Sequence, residues 1–354
     1  MNDKLTVAVV FGGQSSEHSV SCVSGVTVMK ALNPEKYDIV LIGITKEGRW
    51  LLADSIESVE NGTWVNSTVH AIVSPDANDH GLILMKDGQI TKKRIDVAFP
   101  ILHGMYGEDG TIQGLFELAN IPYVGCGVLA SSVSMDKWYT KIVVDDLDIR
   151  QAKYVPINHI DMRDVEGCVE KVEAKLEYPV FVKPSKAGSS VGVNKANNAE
   201  ELKAALTEAL KHDIHILVEE TIIGREIECA VLGGYDPIAS DVGEVLSAED
   251  FYTFDAKYNN QESKTDLHPE FPEGKLEEVR EAALKIFKAL DGFGCSRVDF
   301  FMEKGTNEIV FNEINTMPGF TSISMYPMLW REKGLETKEL VDRMVETAFE
   351  RYVR

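Results

Sequence analysis

Apolar residues in the first third of the chain alternate between strand-like runs and helix-like spacing. The run LTVAVVFGG is continuous and rich in β-branched residues, SVSCVSGVTVMKAL follows with helical spacing, and YDIVLIGIT reads as a second strand. The segments RIDVAFPIL and TIQGLFELAN then repeat the order of strand and helix. This alternation predicts βαβ units and a parallel sheet, with the polar stretch over 53–89 as an excursion at the surface.

The remainder of the chain predicts two further groups of elements. A helix that contains MDKWYTK leads into the first group, in which strands over 179–183, 191–194 and 214–219 accompany a helix over 199–210. In the second group, strands over 227–232 and 298–303 accompany helices over 276–290 and 337–351. A chain of 354 residues is long for one core. We therefore predict a mixed α/β fold with three domains, over residues 1–126, 127–220 and 221–354.

Composition narrows the classes of partner. The net charge of −21 comes from 57 acidic against 36 basic residues, which argues against nucleic acid or an anionic membrane as a partner. The start MNDKLTVAVVFGGQ has too short an apolar run for a signal peptide or a membrane span, so we expect a cytoplasmic protein. The five cysteines form no C-x-x-C pair, which favours buried thiols over a zinc or redox site.

The segment KPSKAGSSVGVNK, residues 183–195, is open to two interpretations. Its GSSVG fits the G-x-S-x-G elbow of serine hydrolases, but an elbow requires a helix next, and VNKANN reads as a short strand and a turn. The alternative is a glycine-serine loop between antiparallel strands that covers phosphates, with Lys183 supplying positive charge. The second interpretation explains the residues better.

A second glycine pattern, GCGVLA at residues 125–130, fits the G-x-G-x-x-A motif of dinucleotide sites. Such a site requires an acidic residue at the end of a strand about 20 residues later, and here that position falls in DDLDIR, at the end of a helix. A tight turn is therefore the better explanation.

Three oxygen-bearing side chains near the C-terminus could hold a metal ion. If residues 305–307 form a three-residue hairpin loop with Asn307 in the left-handed conformation, Asp299 pairs directly with Glu313. Asn315 and Phe311 then share their face, and the opposite face is mostly apolar. Carboxylate and amide oxygens suit a Mg²⁺ ion that also binds substrate phosphates. The alternative is an acidic strand edge that is exposed to solvent and binds no metal.

Eight ordered segments together resemble the D-alanine–D-alanine ligases of the ATP-grasp superfamily, a family that includes the vancomycin-resistance relatives. They are FGGQSSEHSVS, HGMYGEDGTIQGLFEL, SMDKWYTK, KPSKAGSSVGV, VEETIIGREIECAVLG, FYTFDAKY, GCSRVDFF and NEINTMPGFTSISMYP. The resemblance covers nearly the whole chain. It implies a three-domain ATP-grasp fold with an N-terminal parallel-sheet domain.

The resemblance also implies how ATP and metal are bound. ATP and two Mg²⁺ (or Mn²⁺) ions are the expected cofactors, and Asp299, Glu313 and Asn315 match the metal ligands, in agreement with the hairpin argument. The residues expected to bind ATP are Lys137, Lys183, Glu219, Glu220, Ile222, Glu226, Phe251, Lys257 and Asn315. Phe251 and Lys257 lie in what resembles a mobile lid, which would keep water from a reactive intermediate.

The implied reaction activates one D-alanine as an acyl phosphate, which the amine of a second D-alanine attacks. Glu17 resembles the residue that binds the first ammonium group, linked to Ser189 and Tyr258, and His103 lies near that substrate. Arg297 and Ser324 match contacts of the second D-alanine, and Arg297 with the Gly319 N–H would stabilise the oxyanion. Ser189 would thus hold a network and would not attack. Taken alone, Glu17 or His18 could simply cap a helix.

The identity of the acceptor is inferred from Met325 and from the lid segment. D-serine relatives tend to carry arginine at the position of Met325, and D-lactate relatives replace the lid segment that is Ala256-Lys257-Tyr258 here. Met325 suits a methyl group, so we expect D-alanyl-D-alanine for peptidoglycan precursors, with a D-serine or, less favoured, a D-lactate acceptor as alternatives. A nucleotide-binding regulator without catalysis is disfavoured because no ligand position is lost. The family also implies a homodimer.

Overall fold

A computed structural model describes residues 4–188, 191–246 and 264–352. Its first sheet has seven strands in the order β6-β5-β4-β3-β2-β1-β7, and β1 pairs in parallel with both β2 and β7. The strands are β1 Leu5–Gly12, β2 Tyr37–Ile44, β3 Trp50–Ala53, β4 His70–Val73, β5 Gly81–Lys86, β6 Gln89–Arg94 and β7 Val97–Pro100. The predicted parallel sheet is thereby confirmed.

The stretch expected to be a surface excursion is instead part of this sheet. Strands β3 to β6 extend it as an antiparallel meander beyond β2. In β4, exposed and buried residues alternate from His70 to Val73, the pattern of a strand with one solvated face. The polar composition of 53–89 hid this short two-residue periodicity.

Within residues 4–126, three α-helices accompany the first sheet. They are α1 His18–Ala31, the short α2 Ile56–Glu60 and α3 Thr111–Leu118, of which α2 packs on α1 and β3. The five residues from Val7 to Phe11 in β1 are completely buried, as expected of a strand that is covered on both faces.

The second sheet has four strands in the order β10-β9-β11-β8, all antiparallel. Strands β8 Tyr154–Asn158, β9 Val180–Pro184, β10 Asn194–Ala196 and β11 His215–Glu220 pack against helices α6 Val165–Glu173 and α7 Ala199–Ala209. The strand predicted over 191–194 begins only at Asn194, because Gly192 has a φ of 71° and belongs to a turn.

The helix predicted around MDKWYTK is two helices, α4 Val128–Met135 and α5 Lys137–Val144. Asp136 separates them in an extended conformation, and its carboxylate accepts the Trp138 N–H at 3.2 Å as the N-cap of α5. The interruption therefore places Lys137 at the first position of a new helix.

The third sheet has five antiparallel strands in the order β14-β13-β12-β15-β16. The strands are β12 Gly224–Gly233, β13 Ile238–Leu246, β14 Lys264–Asp266, β15 Gly294–Glu303 and β16 Ile309–Asn315, and helix α8 Lys275–Ala289 covers one face. Two helices follow, α9 Met325–Glu332 and α10 Thr337–Glu350.

The last two helices join the first and third sheets through one apolar core. Phe11 and Val28 of the first segment share a cluster of buried side chains with Trp330 and Met344. The three sheets fall within the three predicted domains, whose exact boundaries stay predictions. None of the helices in the described parts of the chain is long and apolar enough to span a membrane.

Candidate active site

A cleft lies where the three segments meet. Side chains from each segment line it, including Glu17 and His103 from the first, Lys137 from the second, and Arg297 and Glu313 from the third. Acidic groups outnumber the cationic ones along its described walls, because Glu228 lines it as well as Glu17 and Glu313, against Lys137 and Arg297. An excess of negative charge favours cationic ligands, such as an ammonium group or a divalent metal ion.

Glu17 is the residue that precedes α1, but its side chain does not cap that helix. The Glu17 N–H donates to Ser15 Oγ at 3.0 Å, and Ser15 Oγ donates to the His103 carbonyl at 2.7 Å. Glu17 lines the cleft, and its carboxylate lies close to Gly104 and Gly188. A Cβ added at either glycine would lie 2.7 or 3.0 Å from Glu17 Oε2.

His103 is buried and holds the third segment against the first. Its Nδ1 lies 2.9 Å from the Met317 carbonyl, and its Nε2 lies 3.0 Å from Ser24 Oγ. Because a carbonyl only accepts, Nδ1 carries the proton and Ser24 donates to Nε2. Burial lowers the pKa of His103, in agreement with a neutral ring.

Glu108 binds the same segment from the other side. Its two carboxylate oxygens accept the Gly104 N–H at 2.8 Å and the Met317 N–H at 2.9 Å. Burial and the nearby charge of Glu17 raise the pKa of Glu108 to about 8. Ser24 Oγ accepts the Phe320 N–H at 3.1 Å, so the segment 317–320 is held at both ends.

Gly319 and Ser324 lie together next to this segment. A Cβ at Gly319 would be 2.9 Å from Ser324 Oγ, which accepts the Thr321 N–H at 3.0 Å. Met325 begins α9 and is 4% exposed, and its sulfur lies so close to Gly243 that a Cβ there would collide with it. The structure thus brings the residues predicted to contact the second substrate to one wall of the cleft.

Arg297 lies between two carboxylates. Its guanidinium donates to Asp299 through Nε and a terminal nitrogen, at 2.8 and 2.7 Å, and its Nε lies 3.0 Å from Glu228. Burial disfavours the charged guanidinium, but Asp299 and Glu228 outweigh burial and raise the pKa of Arg297. The arginine is therefore fixed as a cation at the cleft wall.

The hairpin prediction is right about the pair of carboxylates and wrong about the length of the turn and the register next to it. Asp299 pairs with Glu313, and Asn307 is left-handed with a φ of 56°. However, the Glu303 N–H donates to the Glu308 carbonyl, so the turn is one residue longer than predicted. A β-bulge between residues 299 and 300 of β15 and their partners in β16 then restores the pairing.

The longer turn changes which side of β16 is buried. Phe311 was expected beside the carboxylates, yet it is 1% exposed and packs edge-to-face on Phe300 in the apolar core. Asn315 Nδ2 donates to Asp299 at 3.0 Å, so this amide stays beside the acidic pair.

Lys137 reaches the acidic pair from the second segment. Its Nζ lies 3.2 Å from Glu313 Oε2 and donates to the Ala187 carbonyl at 3.1 Å. The Lys137 N–H itself donates to the Ser185 carbonyl. The start of α5 is thereby fixed to the end of β9, next to Gly188.

Lys183 of β9 and Glu219 of β11 are diagonal neighbours across the two strands, and their side chains form an ion pair. Lys183 Nζ lies 2.5 Å from Glu219 Oε2, and a further lysine, Lys141, lies 2.7 Å from Oε1. Burial raises the pKa of Glu219, but the two lysines outweigh burial and lower it to about 2.

The other described residues that were predicted to bind the nucleotide lie at the end of β11 and after it. Glu220 accepts the Lys153 N–H at 2.9 Å, and Ile222 is half-buried in the loop before β12. Glu226 lies in β12 opposite Phe301. Four predicted site residues, Ser189, Phe251, Lys257 and Tyr258, lie outside the described residues.

The structure also tests the alternative interpretations of the two glycine motifs, the hydrolase elbow and the dinucleotide site. Strands β9 and β10 pair antiparallel on either side of the GSSVG segment, so the strand-to-helix turn of a hydrolase elbow is excluded. Gly125 packs against Gly294, where a Cβ would lie 2.8 Å from the Gly125 nitrogen. Protein thus fills the space next to Gly125 that a dinucleotide would need.

Sequence reasoning missed several residues of the site. Glu108 lies in the quoted HGMYGEDG segment, and Lys141 lies four residues after Lys137 in the same helix, so both carried a usable signal. Glu228 likewise lies in the quoted segment VEETIIGREIECAVLG. Ser24 lies in none of the eight segments that carry the resemblance, and only tertiary structure brings it to the site.

Comparisons with known proteins agree with this arrangement. The family described as D-ala D-ala ligase N-terminus matches residues 6–126, and the family described as D-ala D-ala ligase C-terminus matches residues 143–346. A D-alanine–D-alanine ligase of Acetivibrio thermocellus is 51% identical, with 99% of this chain and 98% of the relative covered. One of Ruminiclostridium cellulolyticum is 50% identical, with 99% and 96% covered.

Solved structures of similar proteins cover the whole fold. The VanG D-Ala:D-Ser ligase from Enterococcus faecalis has a TM-score of 0.89 at 38% identity, over 98% of this chain and 100% of that chain. The D-alanine-D-alanine ligase from Coxiella burnetii has a TM-score of 0.87 at 33% identity, over 99% and 95%.

Proposed function

The chain belongs to the D-alanine–D-alanine ligase family, and from that premise we propose that its central cleft joins two D-alanines in an ATP-dependent reaction. The reaction proceeds through a D-alanyl phosphate and supplies the dipeptide of peptidoglycan precursors. The observation that carries the proposal is the meeting of Glu17, Lys137 and Arg297, one from each segment, in a single cleft.

The first D-alanine binds with its ammonium group at Glu17. Glu17 lines the cleft and is 8% exposed, so an ammonium placed there would lose water but gain a close anion. The neutral His103 and Glu108 support this site by fixing the segment 317–320 in position. The predicted links from Glu17 to Ser189 and Tyr258 remain part of the proposal.

ATP binds between the second and third sheets. Lys137 and Lys183 neutralise its phosphates, and both lysines face carboxylates in the structure, from which a more highly charged phosphate can draw them. The backbone from Glu219 to Ile222 holds adenine, and Glu226 binds the ribose. The predicted contacts of Phe251 and Lys257 with the nucleotide remain part of the proposal.

Two Mg²⁺ ions fit the donors beside the nucleotide. Asp299 and Glu313 are cross-strand neighbours with the Asn315 amide beside them. Carboxylate and amide oxygens are the hard donors that Mg²⁺ takes together with phosphate oxygens. When bound, the ions neutralise the charge that develops on the transferred phosphoryl group. Lys137, which lies next to Glu313, adds a fixed positive charge at the same place.

The second D-alanine binds at the wall formed by Arg297, Ser324 and Met325. The arginine holds its carboxylate, and the Gly319 N–H with Arg297 stabilises the tetrahedral oxyanion as the amine attacks. Buried Met325 offers an apolar surface to the methyl group of the acceptor. This favours D-alanine over D-serine. D-lactate carries the same methyl group, so its exclusion rests on the resemblance of the segment Ala256-Lys257-Tyr258 to that of the D-alanine enzymes.

The decisive experiment measures phosphate release from ATP with D-alanine alone, with added D-serine and with added D-lactate, and identifies the products by mass. We expect the D-alanine dipeptide to dominate, with one phosphate for each dipeptide. Dominant mixed product would overturn the assignment of the acceptor wall, and phosphate release without any product would overturn the ligase.

The use of ATP supports a location in the cytoplasm. A homodimer is proposed from family membership alone, and sedimentation equilibrium of the purified protein tests it.

A further inference from the structure

Lys141 is a buried charge that the proposed reaction does not use. It is 1% exposed and lies one helical turn after Lys137 in α5. Its Nζ lies 2.7 Å from Glu219 Oε1, donates to the Ala152 carbonyl at 3.3 Å, and is 5.3 Å from the centre of the Tyr154 ring. These contacts enclose the ammonium group in protein and keep it away from the cleft.

Glu219 is shared between Lys141 and Lys183. The two lysines approach different oxygens of one carboxylate that is 4% exposed. Burial lowers the pKa of Lys141, and the charge of Glu219 opposes this effect. With both lysines protonated, the trio carries one positive charge. Lys183 is the member on the nucleotide side, since it lies on β9 next to the loop that begins at Ser185.

Removing one partner from a buried ion pair is costly, because it leaves the other charge without compensation. If Lys183 left Glu219 for a phosphate in a protein without Lys141, the buried carboxylate would remain alone. With Lys141 in place, the carboxylate keeps a cation at 2.7 Å throughout.

We propose that Lys141 is a positioning residue for the nucleotide, which holds Glu219 so that Lys183 can exchange this carboxylate for a phosphate of ATP. The inference rests on the proposed function, because it takes Lys183 as a phosphate ligand. Lys141 acts through Glu219 and touches no substrate.

The test compares ATP with adenosine, which lacks phosphate, by calorimetric titration of the full-length protein. Lys141→Met removes the ammonium but leaves Lys183 and Glu219 paired, so the variant should fold. We expect its affinity for ATP to fall tenfold or more while its affinity for adenosine changes less than threefold. The double variant Lys141→Met with Glu219→Gln frees Lys183 again, and its ratio of ATP to adenosine affinity should return toward that of the wild type.

Lys171→Met is the matched control, because Lys171 is an exposed lysine of α6 that pairs with Asp161. It should change neither affinity, whatever the role of Lys141. An unchanged ratio in Lys141→Met, or a lowered ratio that the double variant does not restore, would overturn the inference while the ligase proposal stands. A wild-type protein that binds no ATP would overturn both.

Discussion

Two glycines determine where the Glu17 carboxylate can lie. Gly104 has a φ of 70°, and both Gly104 and Gly188 leave room that a Cβ would take from Glu17 Oε2. Glycine at residue 104 is therefore required twice, once by the backbone and once by the site.

Substitution of Gly104 tests the role of Glu17. In Gly104→Ala the new methyl would lie 2.7 Å from Glu17 Oε2 and displace it, so we expect the KM for D-alanine to rise tenfold or more. The left-handed backbone should also reduce stability by about 1 kcal/mol. Steady-state kinetics and urea unfolding measure the two effects.

Gly62→Ala is the matched control, because Gly62 has a φ of 75° and open space around it. It should show the loss of stability without the change in KM. Equal KM values for the two variants would contradict the role of Glu17.

Glu108 gives the protein a pH-dependent stability. Its pKa is raised from 4.5 to about 8 in the folded state, so the folded protein binds the proton more tightly than the unfolded chain does. This contribution to stability is full below pH 4.5 and is lost as the pH rises through 8.

We expect wild-type protein to lose more unfolding free energy between pH 5 and pH 9 than Glu108→Gln loses, by on the order of 3 kcal/mol. Urea unfolding at the two pH values measures the difference. Equal losses would mean that Glu108 is already ionised at pH 5. The variant itself should be less stable at both pH values, because an amide NH₂ would face a peptide N–H of Gly104 or Met317.

At the scale of the elements, α5 depends on its first residues. Asp136 caps the helix, accepts a hydrogen bond from Ser185 Oγ, and lies 3.1 Å from His215 Nδ1. Because Lys137 follows directly, the cap also determines where the predicted phosphate lysine points.

Asp136→Ala should reduce stability by about 2–3 kcal/mol, since it removes a cap and leaves buried partners unsatisfied. We also expect the KM for ATP to rise several-fold as Lys137 loses its position. Asp164→Ala is the control, because Asp164 caps α6 through the Gly167 N–H at 3.0 Å. It should cost about 1 kcal/mol and leave the KM for ATP unchanged.

In the β15–β16 hairpin, the local sequence predicted the paired carboxylates but not the length of the turn. The spacing of Asp299 and Glu313 predicted that these carboxylates pair. The predicted turn was one residue too short and the β-bulge was not predicted, and these two errors cancelled to give the right pair. Within the turn, the Lys304 N–H donates to the Ile223 carbonyl of a distant loop. Such a contact is invisible in the sequence of the hairpin.

At the scale of the whole molecule, the C-terminal helices pack against the N-terminal sheet. Helices α9 and α10 complete the core of the first sheet, so the first segment is stabilised by residues more than 300 positions away. The cleft is rigid on this side because Met317 and Phe320 also bind to Glu108, His103 and Ser24.

Trp330→Ala tests the shared core. The buried indole leaves a cavity, which should reduce stability by about 3–5 kcal/mol. Hydrogen–deuterium exchange should accelerate in α1 as well as in α10. Phe287→Ala removes a buried ring from the core behind the third sheet and should accelerate exchange in α8 with little effect on α1. Unchanged exchange in α1 of Trp330→Ala would contradict a shared core.

The sequence by itself determined the local parts of this protein. The apolar run of β1, the parallel strands and the ordered motifs predicted the fold class and the family, because periodicity and short motifs are written in neighbouring residues. It also predicted the pairing of Asp299 with Glu313.

Only the tertiary structure decided which partners the buried ionisable groups have. The meeting of Glu108 with Met317, of Lys141 with Glu219 and of Arg297 with Glu228 depends on how three sheets pack. The energy of a buried charge depends on its neighbours in space, and these neighbours lie up to 209 residues apart in the chain. For this reason the sequence pointed to the chemistry of the site, and the fold determined its electrostatics.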